Sequence, residues 1–360
     1  MSLLSAVDES SALELLHELG CTDGLPVVIP TPDRVERMVL ASGLPGDISL
    51  GAMGPNLGDA TIAKVATCAV MAGCLPDYMP VVMATIEAVL DPSFDLTEMQ
   101  ATTHCIAPFV IVNGPARLAC GPIAASFGAL GPGFRANASI GRTLRLAMMN
   151  IGGGRPGISD MALLGHPGKF TFCMAEDEEA SPFEPLHVSR GCRPGESAVT
   201  VVGTEAPHSV IFVGDSDDPT AAERLLRTLA LTLANVGSNN AHFGHGSAVV
   251  ILNPDHTAVL ARAGLDRAGV AAALGERAVN PRSLMHGLNP SMIRASDDDR
   301  PFRAFQNADD ILVMAGGGSG LYSMVVPSWG AGPHANPAVT KRIDLNQACE
   351  VPSFRPPPAA

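Results

Sequence analysis

Aromatic side chains make up only 4% of this 360-residue chain, with one tryptophan and two tyrosines, and charged residues only 16%. Binding of nucleic acid needs phosphate neutralisation and stacking platforms. Here the net charge is −13 and no stretch interleaves Lys or Arg with aromatics, so no nucleic-acid partner is expected. Long hydrophobic runs are missing too. The most apolar stretches, such as 105–112 and 199–202, stay far below the roughly 18 residues of a membrane helix, so no membrane association is expected. The first nineteen residues contain acidic groups but no Lys or Arg, which argues against a basic signal-peptide start and for a cytoplasmic protein. Eight cysteines occur without a C-x-x-C or zinc-finger spacing, and several sit inside apolar runs, as reduced and mostly buried thiols do. Lysine is the scarcest charge: Lys64, Lys169 and Lys341 are the only three among 23 basic residues. A GC-rich genome explains such a bias, yet it makes each lysine worth inspection.

What is abundant is glycine (37), proline (30) and aliphatic carbon, with 46% hydrophobic residues and a mean hydropathy of +0.23. A chain of this size with so little charge is expected to bury a large core and part of its surface, as a homo-oligomer does. The first half reads as helix-rich. Apolar spacing predicts helices over 9–19, with Ser10 or Ser11 as cap, then from Pro32 to about 40, 59–73, 78–90 and 137–150, with one strand at 107–112. In the second half, continuous β-branched runs at 198–202, 209–213, 248–252 and 310–315 alternate with helices at 219–236, 254–263 and 266–278. Fully apolar strands of this kind belong to a sheet covered on both faces. The expected class is α/β, with a mostly parallel or mixed sheet covered by helices and a helix-rich N-terminal half. The unit 209–252 reads as a right-handed βαβ crossover. A soft boundary near 151–168 divides a helix-rich region with a short sheet (1–160) from an α/β region (165–345), and 346–360 reads as a tail.

Ligands collect beyond the carboxyl ends of parallel strands. That selects the loops 214–218, 253–256 and 316–320, the last with Gly317, Gly318 and Ser319, whose backbone N–H groups suit an anion. None matches a nucleotide-binding spacing, no metal is favoured, and the cofactor stays open. His242 and His245 are spaced like metal ligands, but Gly244 and Gly246 break the helix that would align them. His256 reads as structural, in the first turn of a helix capped by Asn253. Arg135, Asn137 and Arg142 follow a glycine-rich approach to a helix start, which makes an anion site, unless the arginines pair with acidic residues elsewhere. His166, Lys169 and Glu176 fall within a dozen residues rich in Pro and Gly, and Glu176 ends an apolar strand as a general acid/base beside His166 or Lys169. Cys74, in a Gly-Cys-Leu-Pro break between helices, and Cys105, directly after His104, are the candidate nucleophiles, with inert burial as the alternative for each.

The segments Asp23-Gly24-Leu25-Pro26-Val27-Val28, Ala72-Gly73-Cys74-Leu75-Pro76-Asp77-Tyr78, Gly165-His166-Pro167-Gly168-Lys169 and Ser181-Pro182-Phe183-Glu184-Pro185-Leu186-His187 resemble the long members of a bacterial family associated with UGSC-type (seleno)proteins. The resemblance runs from residue 21 to about 343 and implies one enzyme-like fold. A U-G-S-C or C-G-S-C tetrapeptide is absent from this chain, so selenocysteine-like redox chemistry does not carry over. From the residues, the leading expectation is a cytoplasmic lyase or hydrolase that cleaves or hydrates a carbon–heteroatom bond in a small anionic metabolite. A thiol, or a Glu/His pair, would do the chemistry. The alternatives are a thiol redox protein and a non-catalytic small-molecule-binding protein.

Overall fold

The structure is a computed structural model that describes residues 4–214, 218–296 and 300–345, so the middle of the 214–218 loop and the expected tail lie outside the described residues. Helix α1 (Glu9–Glu18) is capped by Asp8, whose carboxylate accepts from the Ser11 amide, so neither expected serine is the cap. Helix α2 (Pro32–Ser42) begins with proline in its first turn and stops at Gly43 in the left-handed region. The helix expected from 59 starts later. Residues before Ile62 form a hairpin, β1 (Ser49–Met53) with β2 (Gly58–Thr61), and the Thr61 hydroxyl then accepts from the Lys64 amide to open α3 (Ile62–Ala72). After Gly73 and a 3-10 turn come α4 (Met79–Val89) and α5 (Leu96–Ala101). Strand β3 (Ala107–Asn113) leads through α6 (Ala116–Ala119) to α7 (Arg135–Asn150). Helix α7 crosses the start of the next strand so closely that a Cβ on Gly141 would stand 2.6 Å from the Phe172 amide nitrogen; only glycine permits the approach.

A 3-10 turn at Pro167–Lys169 shortens the expected strand to β4 (Cys173–Ala175). There follow α8 (Leu186–Ser189), β5 (Ser197–Thr204), β6 (His208–Ile211), α9 (Ala221–Leu233), α10 (Asn239–Phe243), β7 (Ala248–Leu252), α11 (Pro254–Arg262) and α12 (Arg267–Arg277). The chain continues with β8 (Val279–Asn280), α13 (Arg282–Leu288), β9 (Phe302–Arg303), β10 (Ile311–Ala315), β11 (Tyr322–Val326) and β12 (Val339–Ile343). Two four-stranded mixed sheets result, ordered β12-β5-β3-β4 and β10-β7-β11-β6. The first draws β3 from the region before the expected boundary and its other strands from the region after it. In the second, β6 and β7 run parallel, but β11 lies antiparallel between them, so the crossover through α9 skips a strand. Strand β11 has a mixed burial pattern with an exposed first residue, and the sequence reading missed it.

Alternation along the strands explains the layering. Phe109, Ile111, Met174 and Val202 of the first sheet share one apolar cluster with Val249, Ile251, Leu312, Met314 and Val326 of the second, so the sheets face each other. The intervening residues point outward. Val110, Val112, Val199 and Val201 meet α2, α3, α4 and α7, while Val250, Leu252, Val313 and Val325 meet α9, α11 and α12. The continuous apolar strands are thus buried on both faces as expected, but the second cover is a sheet rather than another helical layer. No helix among the described residues is long and apolar enough to cross a membrane.

Candidate functional site

Polar side chains gather where the two sheets part. At one end, β3 begins, antiparallel β5 finishes opposite it (Ala107 against Thr204), and the Glu205 amide donates to the Pro327 carbonyl beside β11. His104 and Cys105 lead into β3, His166 and Lys169 lead into β4, Arg145 comes from α7, and Asp160 from the loop after that helix. Lys169 Nζ donates to both Asp160 carboxylate oxygens at 2.7 Å, and Arg145 Nη1 reaches the same group at 3.5 Å while its Nε donates to the Lys169 carbonyl at 2.6 Å. One carboxylate and one carbonyl therefore fix two cations. Burial depresses the proton affinities of Arg145 and Lys169, with Asp160 opposing the shift in each.

His166 is a pin rather than a base. Its Nδ1 accepts from the Gly168 amide at 3.1 Å, which leaves Nε2–H to donate to the Thr204 carbonyl at 3.2 Å, the pattern of a neutral ring. Burial, reinforced by the nearby Lys169 and Arg145 charges, lowers its pKa, and the Thr204 carbonyl opposes this. His104 Nε2 pairs with Glu205 at 2.9 Å, and its buried Nδ1 has no partner. Cys105 is half-buried, directly after His104 at the same end of the sheet. Among the sequence candidates, Cys105, His166 and Lys169 come together. Asp160, Arg145, His104 and Glu205 complete the group, and nothing in the spacing of Asp160 or Glu205 marked them.

The other candidates lie elsewhere. Glu176 does not stand beside His166 or Lys169: it follows β4 at the far end of the first sheet, roughly 20 Å away along the seven residues of β3. There it is fully buried and accepts from Arg267 Nη2 and Asn113 Nδ2 at 2.6 Å, from the Leu186 amide at 2.7 Å and from the Ala315 amide at 3.4 Å. Four donors leave it no free acceptor for proton transfer. Cys74 follows the C-terminal cap of α3 instead of opening a helix; its buried sulfur lies 3.2 Å from the Thr143 hydroxyl, and burial pushes the thiol up.

Nor does the start of α7 form the expected anion site. Its cap is Phe134, with no side-chain cap bond. Asn137 is buried and clamps the loop below, bonding both the amide and the carbonyl of Ala124 and the carbonyl of Ala129. Arg142 is engaged by Asp23 through two 2.8 Å bonds and by the Pro26 carbonyl, while Arg135 is exposed and donates from Nε to the Gly73 carbonyl. In the glycine loop, the Gly317 amide is taken by the Ala125 carbonyl and the Phe127 ring lies directly on Gly318, with Ser319 exposed beyond it. Comparison with protein-family models, with curated proteins and with solved structures finds no match to this chain.

Proposed function

We propose that the protein is an enzyme that cleaves a carbon–heteroatom bond in a small anionic metabolite, with Cys105 as nucleophile. The observation that carries this reading is the half-buried Cys105 thiol at the same end of the first sheet as an ammonium held in place by Asp160. In this arrangement the thiol is the attacking group and the ammonium meets the anionic end of the substrate. The Sγ–H bond gives up its proton and Sγ bonds to an electrophilic carbon. The carbon–heteroatom bond breaks with its electron pair on the leaving atom, which takes up the proton. Water then cleaves the sulfur–carbon bond and restores the thiol, which is the hydrolase form of the reaction. Arg145 and Lys169 match the charges of Asp160 and Glu205, and the Lys169 ammonium keeps one N–H beyond its two bonds to Asp160 for the substrate anion. A reduced thiol of this kind fits a cytoplasmic location.

The test uses p-nitrophenyl acetate and the monoanionic p-nitrophenyl succinate. The expected result is a burst of p-nitrophenolate, larger for the succinate, with one acyl group on Cys105 by mass spectrometry and no burst in Cys105→Ser. No burst from either ester, or a burst that survives Cys105→Ser, overturns the proposal.

A further inference from the structure

At the opposite junction of the sheets, the Glu176 amide completes the first-sheet ladder by donating to the Val112 carbonyl, and the next amide, Asp177, donates to Ala315 in the second sheet. Around this stitch lie Asn113, Glu176, Glu178, His187, Arg117 and Arg267. The two inner carboxylates are saturated from within the group. Asn113 Nδ2 donates to Glu176 at 2.6 Å and to Glu178 at 3.0 Å, the Gly114 amide donates to Glu178 at 2.7 Å, and Arg267 Nη2 donates to Glu176. Four atoms of the surrounding side chains are nevertheless buried without a partner: Asn113 Oδ1, Arg267 Nη1, and both ring nitrogens of His187, a residue only 1% exposed. His187 Nδ1 stands 4.0 Å from Glu178, beyond hydrogen-bond reach. A buried polar atom left unpaired is destabilising, and buried polar groups are almost always satisfied. Four such atoms on three side chains sharing two carboxylates indicate a missing occupant.

The donor and acceptor inventory defines that occupant. Asn113 Oδ1 accepts only and cannot exchange places with Nδ2, whose two hydrogens are committed to Glu176 and Glu178. Arg267 Nη1 donates only, and a neutral His187 ring offers one donor and one acceptor. The occupant therefore carries both a donor and an acceptor. It is not an anion, because Glu176, Glu178 and Glu179 outnumber Arg117 and Arg267. We propose that this buried cluster is a second ligand site, taking a small uncharged molecule with an amide or hydroxyl group. On the solvent side of the cluster, Arg117 bridges Glu178 to Glu179, whose side chain is 69% exposed.

This site does not depend on Cys105. Its test is a titration of histidine-labelled protein, followed by the ring resonances of His187, with acetamide and with acetate, which matches it in size but lacks the donor and carries negative charge. The expected result is a saturable shift with acetamide and none with acetate, lost in Asn113→Leu, while the signals of His256 stay unmoved in every sample. A crystal structure grown with acetamide should show it bonded to Asn113 Oδ1 and Arg267 Nη1. Equal shifts with both probes, no shift with acetamide, or ordered water alone at Asn113 Oδ1 and Arg267 Nη1 in that crystal overturns the proposal.

Discussion

Cys74 and Cys105 looked alike in the sequence, each next to a turn and each flanked by a polar or helix-breaking neighbour. Their difference lies in what covers them, which depends on α7 and the loop before β4 and is invisible locally. His166 and His256 show the same limit from the other side. The helix cap that makes His256 structural was readable from Asn253-Pro254, and the structure confirms it: Asn253 accepts from the His256 amide at 2.8 Å. The Thr204 carbonyl that pins His166 comes from 38 residues away and left no trace in the pattern. Both rings are held neutral, chiefly by burial, with pKa values below the ordinary histidine range. In the unfolded chain histidine binds a proton near pH 6.5. Below that pH the unfolded state holds more protons than the native one, so this contribution is complete above about pH 6.5 and lost as pH falls. Thermal melts at pH 7.5 and 5.5 should therefore show lower stability at 5.5, and His166→Gln/His256→Gln should narrow the gap. An unchanged gap would mean that other groups set the dependence.

Elements were more legible than side-chain roles. The strand at 248–252 and the helices at 254–263 and 266–278 were readable because apolar period, Asn or Asp caps and Pro coincide there. The β1–β2 hairpin was missed because its residues, Gly58, Asp59, Ala60 and Thr61, carry no β-branched alternation. The sequence places a boundary in the loop between α7 and β4, yet that loop delivers Asp160 to the candidate site. Asp160 holds Lys169 and Arg145, and all three side chains are at least four-fifths buried. Asp160→Asn leaves two cations uncompensated there, and denaturant unfolding should show a loss of about 3–5 kcal/mol. Arg193, paired with Glu196 but with its side chain 80% exposed, is the control: Arg193→Ala should cost less than about 1 kcal/mol. Equal losses would refute a site held by this ion pair.

On the scale of the whole molecule, the class of fold could be read from strands apolar on both faces, whereas the second sheet as their cover could not. An unbroken apolar run shows that both sides are buried without saying by what. Low charge density pointed to a covered surface as well. Ile158, Leu163 and Leu164, side by side in the loop that carries Asp160, are 79–94% exposed in the single chain. Light scattering at micromolar concentration should accordingly return a dimer or larger, with Leu163→Asp/Leu164→Asp shifting it toward monomer; a monomeric parent would end that expectation. The central claim, that the sheet end bearing Lys169 presents the reactive thiol, has one direct measurement: timed iodoacetamide labelling of the native protein with mass-spectrometric mapping of every cysteine. Burial pushes Cys68 and Cys120 up to about 12 and raises Cys74 and Cys173 as well, while Cys21 and Cys105 are half-buried. The account predicts that Cys105 is alkylated first, ahead of Cys21, with those four protected until the protein unfolds. Labelling of Cys74 or Cys21 ahead of Cys105 would contradict it.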